Sequence, residues 1–221
     1  MPQGLDELLQ ACTVKITVPG SQGTGFFVAP GLILTCDHVV KALVEGAIAQ
    51  IDGQRWRLAE AAVVERQPEL DLALLQCSPL PDGDTPCVYL GEAFQPQDDL
   101  YTYGYPDSFP QGTSVTGVCE GAAMKQGLAL LVFKLAQVRP GLSGAPLLNW
   151  RTGRVCGVVK STRDRGSDLG GGAIPTRLIL EQFPQLRELQ QQFHQRDSRW
   201  IDCLCERTAE PSHTVHGDVV A

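Results

Sequence analysis

Basic residues are in short supply: 18 Lys and Arg against 25 Asp and Glu leave a formal charge of −7. A protein that grips nucleic acid or an acidic membrane surface presents a basic patch, and this balance argues against both partners. No apolar run approaches the roughly 20 residues that a membrane helix needs. The opening Met1-Pro2-Gln3-Gly4-Leu5-Asp6-Glu7 is acidic where a signal peptide is basic, so the expected location is cytoplasmic. Histidine is scarcer still. The first 193 residues contain only His38, with His194, His213 and His216 after it. Chemistry that needs an imidazole base in the body of the chain has to use His38.

Turn-forming residues are plentiful, with 23 Gly and 15 Pro among 221 residues, which favours many short strands joined by turns. The length suits one large all-β domain or two small barrels. Six of the eight cysteines, Cys12, Cys36, Cys77, Cys87, Cys119 and Cys156, are scattered through apolar segments. There a reduced thiol behaves as a small hydrophobe, and reduced thiols are the expectation.

The chain is organised around Arg139-Pro140-Gly141-Leu142-Ser143-Gly144-Ala145-Pro146, a serine among glycines and prolines after the apolar run Leu128 to Ala136. A serine hydroxyl attacks a carbonyl only when a base takes its proton and donors await the oxyanion. Gly141 and Gly144 allow a sharp turn in which the amides of Gly141 and Ser143 face one concavity, an oxyanion-hole candidate. The base candidate, His38, ends a strand-turn-strand pattern, Thr24 to Thr35. A third group must hold the imidazole in one tautomer, and Leu70-Asp71-Leu72-Ala73-Leu74-Leu75 supplies an acid inside an apolar run. Burial there costs free energy unless Asp71 has a partner, and His38 is that partner. Singly, His38 reads equally well as a core histidine, Asp71 as a strand-end cap and Ser143 as a turn residue. Asp37 reads as an exposed neighbour of His38.

Thr-x-x-His, then Asp-Leu-Ala-Leu-Leu, then Gly-x-Ser-Gly-x-Pro, in that order, resembles the chymotrypsin-like (trypsin-fold) serine peptidases, in particular their compact bacterial HtrA-like branch. The resemblance runs from about Val14 to about Phe183. It implies an all-β fold of two six-stranded antiparallel barrels with a C-terminal helix, and a serine endopeptidase with no cofactor and no catalytic metal. Ser143 would be nucleophile, His38 base and then acid, Asp71 the orienting carboxylate, and Gly141 and Ser143 the oxyanion donors. The wall of the substrate pocket would come from Gln137, Lys160, Ser161, Thr162 and Gly171. Gln137 stands where trypsins that cut after arginine or lysine carry an aspartate. Leu142 stands where secreted trypsins use an aspartate to capture a new N-terminus, so that activation step is not expected.

Expected boundaries are residues 1–193 for the peptidase domain: barrel one over about 13–80, barrel two over about 100–176 and the helix over about 176–193, breaking near Pro184. Barrel one is read with a helix at Val39 to Val44 and strands that include Arg55 to Leu58. Cys77 to Asp99 connects the barrels, with Val88 to Leu90 pairing within it. Residues 194–221 read as a tail or linker, and His194 as a solvated residue beside a helix end. Cys203, Cys205, His213 and His216 have zinc-ligand types at a spacing that matches no common finger, and the tail reading is preferred. Other bacterial trypsin-like modules that resemble this one are cytosolic effectors, bound or fused to nucleotide-dependent switch proteins of antiphage defence. The resemblance thus implies a regulated enzyme cutting few protein targets, with a non-catalytic interaction module on the same fold as the alternative.

The missing aspartate at Gln137 predicts a preference for an uncharged residue before the scissile bond. A peptide library cut chiefly after arginine would contradict it.

Overall fold

The computed structural model describes residues 4–44, 47–53, 59–77, 85–125, 127–162 and 170–209. A short helix, α1 (Leu5–Cys12), leads into β1 (Thr13–Val18), β2 (Ser21–Ala29), β3 (Leu32–Thr35), the single turn α2 (Asp37–Val40), β4 (Ile48–Asp52), β5 (Ala59–Gln67) and β6 (Leu72–Cys77). These six strands close in the order β1-β2-β3-β6-β5-β4. Alternation explains the closure: Val14, Ile16 and Val18 of β1 are buried while Lys15 and Thr17 between them are not, as a strand with one face on a core requires. The expected helix at Val39 to Val44 is one turn that begins earlier, at Asp37. The strand read at Arg55 to Leu58 lies outside the described residues, and the barrel closes without it.

The second barrel is built from β7 (Asp99–Gly104), β8 (Thr113–Lys125), β9 (Leu128–Lys134), β10 (Pro146–Asn149), β11 (Arg154–Thr162) and β12 (Gly171–Pro175), closed in the order β10-β11-β12-β9-β8-β7. All pairings in both barrels are antiparallel. The chain finishes in α3 (Thr176–Gln182), α4 (Gln185–His194) and α5 (Arg199–Ala209). The break between α3 and α4 falls at Phe183 and Pro184, as the proline predicts.

Three expectations need correction. Val88 to Leu90 do not pair among themselves: the Val88 N–H donates to Phe27 O at 3.0 Å, and Leu90 forms a parallel bridge with Val155 of β11. The connection is thus laid across both barrels. His194 is not solvated but 6% exposed. It stacks on Tyr89 with ring centroids 4.2 Å apart, and its Nε2 lies 3.1 Å from Val88 O. The stripe Leu186, Gln190 and His194 of α4 faces inward, and the Gln190 amide accepts from Leu90 N and donates to Val88 O and Val28 O.

The segment read as a tail begins with α5, which carries a core residue. Trp200 is 1% exposed and its Nε1 donates to Gly153 O at 2.8 Å. Charged Arg199, Asp202, Glu206 and Arg207 conceal the narrow apolar stripe Trp200, Cys203, Leu204 in the sequence. On that helix Cys203 is buried and Cys205 exposed, so two residues of helical advance turn the two thiols to different faces. They do not converge as zinc ligands do; His213 and His216 lie outside the described residues.

Burial, the leading cause, holds the His194 titration below its ordinary value of 6.5. The unfolded chain then binds more protons than the folded one between the depressed value and 6.5, so stability rises with pH through that window and is lost as the pH falls through it. Urea unfolding across pH 5 to 7 is expected to show this slope, reduced in His194→Gln, which retains a donor for Val88 O. Parallel curves for the two proteins would contradict it.

Candidate active site

The strand β3 ends at Thr35, whose hydroxyl donates to Thr24 O at 2.6 Å, and the chain turns at once into α2. That turn presents His38, with its ring half exposed. Asp71 occupies the turn just before β6 at φ +61°, a left-handed conformation that aspartate tolerates better than most residues. Its carboxylate accepts the His38 backbone N–H at 2.9 Å and lies 2.9 and 2.8 Å from His38 Nδ1 through its two oxygens. A carboxylate only accepts, so Nδ1 carries the proton and Nε2 keeps its lone pair. Asp37 is a correction. It is buried rather than exposed and accepts from Arg66 Nε at 2.6 Å. The neighbouring acid is thus engaged by β5, and Asp71 takes the imidazole.

Ser143 sits on a loop wound by two left-handed glycines, Gly141 at φ +92° and Gly144 at φ +89°. A Cβ on Gly141 would meet Tyr105 O and Pro106 Cα at 2.7 Å, and one on Gly144 would collide with Thr24 O and Thr35 Oγ1. The Pro140 carbonyl accepts from Asp107 N at 3.0 Å. Across a trans peptide the Gly141 N–H points the opposite way. Among the described residues neither the Gly141 nor the Ser143 N–H donates a hydrogen bond, whereas Gly144 N donates to Val159 O. Two available amides on one tight loop can receive a developing oxyanion. The Ser143 hydroxyl donates to Lys160 O at 3.3 Å.

Sequence reasoning missed Thr24, the residue that fastens this loop to the first barrel. Its N–H donates to Ser143 O, its hydroxyl donates to Gly141 O at 2.8 Å, and the same oxygen accepts from Tyr105 N at 3.0 Å. The signal was the pair of glycines flanking it: side chains at 23 and 25 would strike Val39, Ile16 and Ile33.

A cleft of about 730 Å³ brings together His38, Val138, Gly141, Ser143 and Lys160. Gln137 is not among them. It is exposed, accepts from Arg139 Nε at 2.9 Å and lines a separate cavity of about 450 Å³ with Phe109 and Leu135. Alternation accounts for this, because Ala136 and Val138 bury themselves and leave Gln137 outward, while half-buried Arg139 lines both cavities. Ser161, Thr162 and Gly171 belong to the paired edges of β11 and β12, where Ser161 opposes Gly172 and Thr162 opposes Gly171. Leu142 is fully buried in the second barrel's core.

Beneath the His38–Asp71 pair lies Cys36, fully buried, with its thiol donating to Val159 O at 3.4 Å. Burial first, and then the charge of Asp71, push that thiol well above its ordinary titration. Cys36, His38 and Asp71 form the one cluster of metal-ligand atoms among the described residues, all within 4.8 Å. The Lys160 ammonium, 3.7 Å from Asp71 Oδ2, makes it a poor place for a second cation.

An imidazole and a serine lining one cleft between two six-stranded barrels fit a serine peptidase of chymotrypsin-like architecture. The family is shown by the sequence itself: the model of the trypsin-like peptidase domain matches residues 23–158, and the chain belongs to that family. Among solved structures it is similar to the active form of the Rv3671c protease from M. tuberculosis, at 23% identity and a TM-score of 0.69, over 83% of this chain and 84% of that one. It is also similar to the HtrA-type protease AlgW with a tripeptide, at 24% identity and 0.68, over 78% of this chain and 58% of that one. The serine endoprotease from Yersinia pestis gives 21% and 0.67, over 84% and 67%. At these identities the likeness is one of fold. No curated protein matches the chain.

Gly144→Ala is expected to destabilise the protein by about 2–5 kcal/mol, combining left-handed strain with overpacking against Thr24 and Thr35. Chemical denaturation followed by tryptophan fluorescence measures it, and a loss below about 1 kcal/mol would mean the loop is not locked as described.

Proposed function

We propose that the protein is an endopeptidase that hydrolyses peptide bonds through an acyl-enzyme on Ser143. His38 Nε2 takes the hydroxyl proton as Ser143 Oγ bonds to the scissile carbonyl carbon, and the carbonyl electron pair moves onto oxygen. The Gly141 and Ser143 amides stabilise that oxyanion. The imidazolium returns its proton to the leaving amine as the C–N bond breaks, and water repeats the sequence to release the acid. Asp71 stays ionised throughout, fixing the ring and stabilising its charge. One observation carries this reading: both Asp71 oxygens sit within 2.9 Å of Nδ1, which leaves Nε2 as the basic atom in the cleft that holds Ser143.

The reading extends to a regulated effector in the cytoplasm that cuts few protein targets, antiphage defence being one such setting, under the control of a partner protein. What supports restraint is the serine itself, whose hydroxyl is bonded to Lys160 O rather than to His38 and must rotate before it can react. The buried thiols Cys36, Cys77, Cys87, Cys119 and Cys156 fit a reducing compartment. The same rotated serine favours a second reading, an interaction module that uses the cleft without cutting.

A fluorophosphonate probe separates these. Labelling of the native chain, lost in Ser143→Ala and reduced about 10⁴-fold or more in His38→Ala, is the expected result. Labelling only with an added partner protein would assign the serine's rotation to that partner, and no labelling with any would favour the interaction module.

A further inference from the structure

The Asp71 carboxylate serves two partners. Its Oδ2 lies 2.8 Å from His38 Nδ1 and 3.7 Å from the ammonium of Lys160. Lys160 reaches this place because β11 passes beneath the nucleophile loop: its backbone carbonyl accepts from Ser143 Oγ while its side chain, about a quarter exposed, folds back onto Asp71. Two further charged side chains line the cleft with His38: Asp107 accepts from Gln22, and Arg139 donates to Gln137 and Ser108. Cys36 at the end of β3 is a thiol that burial keeps protonated, and Asp37 of α2 is paired with Arg66 of β5. Among the described residues Lys160 is therefore the one charged group that competes with His38 for this carboxylate.

We infer that Lys160 is a positioning residue that shares the Asp71 carboxylate with His38 and so sets how readily the imidazole takes and returns a proton. The inference rests on the peptidase reading above. An ammonium at the carboxylate disfavours a second positive charge beside it, because like charges oppose each other through a partly buried, weakly screened path. The shared carboxylate thereby stabilises the imidazolium less than an unshared one would, which eases return of the proton from His38 to the leaving group. The ammonium also helps hold the carboxylate through the oxygen that faces Nδ1, so the ring is oriented before substrate arrives. With its charge committed to Asp71, Lys160 does not select the residue before the scissile bond. Its effect is the same for every substrate.

The test compares kcat/KM against pH for the native enzyme, Lys160→Met and Lys160→Arg, each on two peptides, one neutral and one acidic at the residue before the cleaved bond. In Lys160→Met the acid limb is expected to move up by about half to one pH unit with both peptides, and Lys160→Arg, which keeps the charge, is expected to restore most of it. An unchanged limb, an equal shift in both variants, or a loss confined to the acidic peptide would overturn the inference, the last by making Lys160 a substrate-reading residue. Following the His38 ring by NMR in a Ser143→Ala background, with and without Lys160→Met, reads the same shift without turnover. If no protein cleaves or labels, the peptidase reading fails, and the ring titration still decides for or against Lys160.

Discussion

Thr24 commits its backbone N–H, its carbonyl and both sides of its hydroxyl to four residues on three segments: Ser143, Thr35, Gly141 and Tyr105. Two of these carry the nucleophile loop, one precedes the base and one continues from the first strand of the second barrel. Each bond is buried, where leaving a partner unmatched costs about 1–3 kcal/mol. A shift of one barrel against the other would break several at once. Thr24, which performs no chemistry, thereby helps to fix the relative positions of His38 and Ser143. Two closed barrels alone would leave the cleft between them undetermined.

The electrostatics of the site have a similar economy. Asp71 is poorly hydrated, and its charge is balanced from one side by the His38 ring and backbone N–H and from another by Lys160. Cys36 fills the remaining space with a neutral thiol whose loss of a proton is opposed by burial and by Asp71. A second anion beneath the pair would compete for the proton on the imidazole. A buried thiol avoids this while packing as a small hydrophobe.

Much of this was legible in the residues. The alternation of Val14, Ile16 and Val18 and the turn signals between strands pointed to short strands, since period-two burial is local information, whereas their closure into two six-stranded barrels was implied by the family resemblance. Asp71 was readable because an acid in an apolar run demands a partner, although the structure sets it at the turn before that run. What escaped reading depends on long-range partners. Thr24 looks like any strand threonine until Ser143 lies beside it. His194 appeared solvated because its neighbours Gln191, Gln192 and Gln195 are polar, yet α4 turns it onto Tyr89. Asp37 looked exposed because its partner Arg66 is 29 residues away. The lysine on Asp71 was read as pocket wall by analogy with the family, and its bond to Asp71 escaped reading because the direction of a long side chain is not a property of register.

The connection between the barrels bears on how rigid the cleft can be. Val88 hydrogen-bonds β2 of the first barrel, Tyr89 and Gly91 bond Val155 of the second, and the Gln190 and His194 side chains of α4 hold the segment between them. Thr24 and the nucleophile loop form one tie across the barrel interface, and this connection forms another, made from different strands. A pair of bodies joined at one point can hinge, whereas independent ties limit sliding and opening together. Under the regulated reading, control would act within the cleft, on side chains and loop peptides rather than on the spacing of the barrels. The Ser143 hydroxyl, bonded to Lys160 O in the cleft it shares with His38, is a group small enough to be governed in that way.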